Sequence, residues 1–122
     1  MGWQFNGREA VYLQIAARLR SDILMGKYPP DTQIPSVRTL AFEAAVNPNT
    51  MQRALAHLEF EGILYSKGTI GRFVTWDTQV LQAARKKMHR EYVRKWLSEA
   101  EMIGMSTEEL IYYIREEDDS NE

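Results

Sequence analysis

Residues 46–55 read VNPNTMQRAL, and the side chains best equipped for chemistry gather there. Asn47, Asn49, Thr50, Gln52 and Arg53 place amides, a hydroxyl and a guanidinium in one short run. An amide carries a donor and an acceptor side by side, and a guanidinium carries its donors in a planar fork. Such groups suit base edges and phosphate oxygens better than bond breaking. They are poor helix starters, because short polar side chains compete for the backbone's own hydrogen bonds. Other chemistry finds little support. His57 and His89 fall on separate predicted helices without ligand spacing to another His, Cys or carboxylate, and His57 reads as a boundary or surface residue. Ser36 has no His and Asp partners, and GTIG (68–71) is not a phosphate-binding glycine motif. The Glu pairs in EFE and EE are too ordinary to mark acid–base chemistry. No enzyme activity, metal site or cofactor is expected.

The elements that must position these groups follow from periodicity. Tyr12, Ile15, Ala16, Leu19 and Ile23 recur at helical steps and predict a helix over roughly 10–25, closed by Gly26. KYPPDTQIP reads as a loop. Ser36 caps a predicted helix over about 36–44 with Val37, Leu40, Ala41 and Ala44 inward. After a tight turn, Asn47 is the predicted N-cap and Pro48 the first residue of a helix that ends near Glu61 and Gly62. ILYSKGTIGRFVTW then changes period and predicts a two-stranded hairpin. Asp77 caps a long helix over about 78–103, Gly104 ends it, and STEE (106–109) is a capping box for a final helix. EEDDSNE (116–122) reads as a solvated, frayed tail.

On a helical wheel for residues 47–60, Met51, Leu55 and Leu58 face inward, so Asn49, Gln52, Arg53 and Ala56 face outward. The order helix, helix, tight turn, helix, hairpin is that of a winged helix-turn-helix, mainly α with one small β-hairpin. In that architecture the N-terminal end of the second helix-turn-helix element enters the DNA major groove, where amides read adenine and a guanidinium reads guanine or holds phosphate. The partial positive charge and free N–H groups of the helix start would add to phosphate binding. Arg38 would lie beside the DNA backbone, and the hairpin tip with Lys67, Gly68, Thr69 and Arg72 would reach neighbouring phosphates or the minor groove. Taken singly, Asn47 is equally a plain cap and the other polar residues plain surface. Taken together, they form one face.

Composition sets the outer bounds. At 122 residues and 44% apolar, the chain holds one ordinary domain or a small domain with an appendage. It has no cysteine, which excludes disulfides and thiolate metal sites. The N-terminal residues lack a basic segment followed by an apolar core, and no apolar run is long enough for a bilayer. A cytoplasmic protein with no membrane contact is expected. The net charge of −2 speaks mildly against nucleic acid, yet the halves differ. Residues 1–76 hold 8 Lys/Arg against 6 Asp/Glu, and residues 77–122 hold 7 against 11.

The stretches IPSVRTLA (34–41), VNPNTMQRAL (46–55), LEFEGILY (58–65) and GTIGRFV (68–74) resemble the DNA-binding domain of GntR-family bacterial transcription regulators. The match covers about residues 9–75, and the tail over 83–114 resembles the YtrA subfamily. The resemblance implies a homodimer, usually a repressor, on a double-stranded operator. Matched position by position, it implies DNA contacts from Ser36, Arg38, Asn47, Asn49, Thr50, Gln52, Arg53, Lys67, Gly68, Thr69 and Arg72. Three departures stand out: Ala45 and Asp31 occupy positions usually held by Gly, and the wing has Thr69 and Arg72 where many relatives have Gly and Thr.

Two regions follow: a winged helix-turn-helix over 1–76 and a C-terminal helical dimerisation segment, with a possible effector role, over 77–122. The last region is too short to bury much surface alone. Leu81, Met88, Tyr92, Trp96 and Ile103 form the expected dimer face. Alternatively Tyr92, Trp96, Met102, Tyr112 and Tyr113 line a small-molecule pocket, but the sequence leaves any effector unassigned. RKKMHREYVRK (85–95) reads as an exposed basic face paired with Glu91 and Glu99, or as an extension of the DNA contact. A protein-interaction module built on the same winged helix is the alternative function; it would need an exposed apolar patch on the recognition helix.

Overall fold

Helical periodicity in the first half of the chain closes three short helices onto one another. The computed structural model describes residues 2–120. Its elements are α1 (Val11–Leu24), α2 (Val37–Ala44), α3 (Pro48–Phe60), β1 (Leu64–Lys67), β2 (Gly71–Val74), α4 (Thr78–Met102) and α5 (Thr107–Ser120). The two strands pair antiparallel, Leu64 with Val74 through Lys67 with Gly71. This is a winged helix-turn-helix followed by two helices, mainly α with one hairpin. Among the described residues no helix is long and apolar enough to cross a membrane.

The core joins Ile15 and Leu19 of α1, Leu40 of α2, Met51, Leu55 and Leu58 of α3, and Ile63 and Val74 at the hairpin's base. Burying such side chains contributes ~1.5–3 kcal/mol each and sets the pitch of α3 against α1 and α2. Ser36 caps α2 by accepting from the Thr39 N–H at 3.2 Å, and Asn47 caps α3 by accepting from the Asn49 N–H at 2.7 Å.

The turn between α2 and α3 is left-handed at Ala45 (φ 56°, ψ 47°), and the Val46 N–H donates back to the Ala41 carbonyl at 3.0 Å. A Cβ in this conformation costs ~1–2 kcal/mol, which glycine avoids at the expense of greater unfolded-chain entropy. Ala45→Gly is therefore expected to stabilise the protein by about 1 kcal/mol in denaturant unfolding. A lower midpoint with an unchanged denaturant slope would show that the turn has relieved the strain another way.

Residues 31–34, expected only as loop, run along β2. Asp31 and Ile34 donate backbone N–H groups to the Val74 and Arg72 carbonyls, each at 3.0 Å, and Val74 donates to Thr32 at 2.9 Å. Asp31 also has positive φ (60°), and its carboxylate accepts from the Tyr65 hydroxyl, which holds that phenol above its ordinary pKa. Gln33 donates its amide to the Ile70 carbonyl at 2.8 Å. Gly71 has φ 139°, where a side chain strains the backbone, and a Cβ there would also push the Gln33 amide aside from 2.6 Å. The N-terminal residues, to which the sequence assigned no structural role, also join this unit. Trp3 and Phe5 pack against the core, and the Trp3 N–H donates to Ala44 at 3.1 Å.

Two compact units divide at Ala84 and Arg85. The first runs past the expected boundary at 76 because Leu81 and Ala84 pack against the winged core. Leu81, expected on a dimer face, therefore has less surface to offer a second chain. In the second unit the predicted capping box is present: the Ser106 hydroxyl accepts from the Glu109 N–H at 3.1 Å, and the Glu109 carboxylate accepts from the Ser106 N–H at 3.0 Å. Residues 116–120, expected as frayed tail, continue α5 to Ser120, whose hydroxyl donates to the Glu117 carbonyl at 2.9 Å. The rest of that tail, residues 121–122, lies outside the described residues.

Candidate nucleic-acid interface

The N-terminal half of α3, the start of α2 and the hairpin meet on one side of the winged unit. Asn49, Gln52, Arg53 and Ala56 are exposed on α3, while Met51, Ala54, Leu55 and Leu58 are buried, as the wheel requires. Ser36, Arg38, Thr69 and Arg72 border a shallow cleft of about 340 Å³ between α2 and the wing. Asn49, Thr50 and Arg53 border another, of about 370 Å³, against the first turn of α1. Lys67 and Gly68 sit at the hairpin turn and line neither. Lys67 holds its ammonium 4.4 Å from the centre of the Phe73 ring, and Gly68 has positive φ (48°).

Several of these side chains are already engaged within the protein. Ser36 and Asn47 use an oxygen as helix caps. The expected free N–H groups at the start of α3 are also occupied. Asn49 donates to its cap, Thr50 and Met51 donate to the Asn47 carbonyl at 3.0 and 3.1 Å, and Pro48 has no N–H. What remains at that end is the dipole rather than open donors. Arg53 is held with its guanidinium carbon 3.9 Å from the Tyr12 ring centre, and Tyr12 in turn meets His57 edge-on at 6.2 Å. Stacking of this kind fixes the plane of the fork without consuming its donors. Arg38 has no carboxylate partner among the described residues.

Arg72 differs from the other cations. Its side chain is only 17% exposed, and its Nε donates to the Glu59 carboxylate on α3. The same Glu59 oxygen accepts from the Ser66 hydroxyl at 2.9 Å, and Arg72 Nη1 donates to the Gln52 Oε1 at 3.3 Å. Sequence reasoning missed Glu59, Gln33 and Tyr12 as parts of this face. Tyr12 was legible only as one residue of the α1 stripe, and no spacing rule links Glu59 to the wing.

Comparison with known proteins agrees with this geometry. Residues 11–74 match the family described as bacterial regulatory proteins, gntR family. The HTH-type transcriptional repressor YtrA of Bacillus subtilis is 30% identical, over 87% of this chain and 82% of its own length. A GntR family transcriptional regulator from Listeria monocytogenes superposes with a TM-score of 0.84 at 28% identity, over 92% of this chain and 98% of the other. The DNA-binding domain of AraR in complex with operator ORX1 superposes with a TM-score of 0.53 at 31% identity, over 59% of this chain and 93% of that one. With its helix-turn-helix, its wing and the match spanning both, the chain belongs to the gntR family of bacterial regulatory proteins.

Proposed function

We propose that this protein is a cytoplasmic, sequence-specific DNA-binding repressor that recognises an inverted-repeat operator as a homodimer. The observation that carries the reading is the exposed face of α3, where Asn49, Gln52 and Arg53 stand together beside a small Ala56. The face is polar apart from Phe60 at the far end of α3, which is 90% exposed, and a single ring falls short of the apolar patch a protein-docking helix would need. Side chains of this kind at the start of a recognition helix suit base edges in the major groove. Asn49 and Gln52 are the proposed base readers, and Arg38, Arg53 and Lys67 flank them as phosphate contacts. Ser36, Asn47, Thr50, Gly68 and Thr69 complete the proposed surface with short groups and open backbone that permit close approach. The solved complex of the similar AraR domain with an operator supports the same use of this fold, and the similarity to a repressor supports the sign of regulation.

Met88, Tyr92, Trp96 and Ile103 are the proposed dimer contacts, in a second unit whose helices bury only Ala100. The basic stretch over 85–95, all exposed except Met88, is assigned to solvent.

Substitution separates base reading from phosphate holding. Gln52→Ala is expected to lower affinity for the preferred site by ~1–3 kcal/mol while leaving non-specific binding nearly unchanged. Arg38→Ala is expected to weaken all duplexes alike. Titrations against cognate and scrambled DNA distinguish the two, and equally small effects at both residues would remove α3 from the groove.

A further inference from the structure

We infer that Arg72 is a positioning residue that sets which base Gln52 reads. The inference presupposes the recognition role proposed for α3 and adds a specificity to it. Arginine has donors and no acceptor, so the Gln52 amide can meet it only through its oxygen. The contact to Arg72 Nη1, 3.3 Å long and exposed, thereby favours one of two amide orientations.

Arg72 is itself held at both ends. Its Nε donates to Glu59, which also accepts from Ser66, and its carbonyl accepts from the Ile34 N–H at 3.0 Å. The linkage runs from Ser66 in β1 to Glu59 in α3, across to Arg72 in β2, and back to Gln52 in α3. A wing residue thus orients a base-reading residue on the helix.

The consequence lies in what Gln52 has left. Its Nε2 has no protein partner among the described residues, so it presents N–H donors with the oxygen turned toward the wing. Bidentate reading of adenine needs an acceptor for N6 and a donor for N7, whereas guanine offers two acceptors, O6 and N7. Held in this way, Gln52 favours guanine over the adenine that a free amide would read. Arg72 meanwhile has its charge balanced by Glu59 and adds little to phosphate binding.

Selection of bound duplexes from a randomised library tests this with the wild type, Gln52→Ala, Arg72→Met and Arg72→Lys. The base position read by Gln52 is the one whose preference collapses in Gln52→Ala. There the wild type is expected to select guanine. Both Arg72 variants are expected to move toward adenine, with the guanine-to-adenine ratio falling about tenfold or more. The readout is the guanine-to-adenine ratio at that one position, with the preferences at the other positions of the site as the internal reference. Lysine retains the charge but cannot span Glu59 and Gln52 as a fork does, so it also carries the test should Arg72→Met fail to fold.

Adenine selected by the wild type, an unchanged preference in both variants, or a uniform loss across all sequences would overturn the assignment. A wild type that enriches no duplex at all would instead remove the DNA-binding reading on which it rests.

Discussion

Raising the salt from about 50 to about 200 mM is expected to weaken operator binding about a thousandfold. Each winged unit places three cations, Arg38, Arg53 and Lys67, on the proposed face without a carboxylate partner among the described residues. Arg72 is left out because Glu59 already balances it. Two protomers then neutralise about six phosphates, and a slope near −0.9 per phosphate makes log K fall by about five for each tenfold rise in salt. A single protomer, with about three phosphates, would lose only about fortyfold over the same range. Affinity measured across a salt series therefore reports both how many phosphates are held and how many copies hold them. Replacing Arg38 or Lys67 by alanine should flatten the slope by about 1 for each phosphate no longer neutralised, whereas Arg72→Met should leave it nearly unchanged. A flat dependence in the wild type would mean that this face does not meet phosphate. The low net charge of the chain is no obstacle, since residues 1–76, which carry the proposed face, hold 8 Lys/Arg against 6 Asp/Glu.

The parts of this face governed by short-range rules are legible in the sequence. Asn47 and Pro48 announce where α3 starts, and the spacing of Met51, Leu55 and Leu58 dictates that Gln52 and Arg53 point outward. The hairpin declared itself through a change of period, and Ser106 with Glu109 through a capping box. What escaped depends on side chains that meet only after the chain has folded. Glu59 and Arg72 are thirteen residues apart and come together because the wing folds back along α3. Arg72 therefore read as a DNA-facing cation, and in the structure it is paired with Glu59. Trp3 and Phe5 precede every periodic segment, and the hydrogen bond between Trp3 and Ala44 spans the first two helices. The free N–H groups expected at the start of α3 were overestimated for a local reason: the cap that marks the helix start also satisfies its donors. Caps are readable in a sequence; what they leave available has to be counted in the structure.

Trp96→Glu is expected to convert a dimer to a monomer and to lower affinity for a complete operator by about 10²–10⁴-fold. The second unit supplies the reason. Its helices leave Tyr92 58%, Trp96 42% and Ile103 75% exposed, with the Tyr92 and Trp96 rings 5.3 Å apart. Ile111 and Ile114 on α5 are also more than two-fifths exposed. A segment of this size buries too little apolar surface to be stable by itself, and a second copy, as proposed, would supply a matching face at no cost in new sequence. A carboxylate at Trp96 would have to be desolvated to remain in that interface, which favours separation of the chains. The winged unit draws its core from Ile15, Leu40, Leu55 and their neighbours, so its fold should survive the change. Half-site affinity should then persist while full-site affinity falls, because the linked second binding event is lost. Sedimentation together with titration on half and full operators measures both quantities. A variant that remains dimeric would relocate the interface. A wild type already monomeric at micromolar concentration, yet tight on the full site, would show that the two recognition helices are brought together by the DNA rather than by α4 and α5.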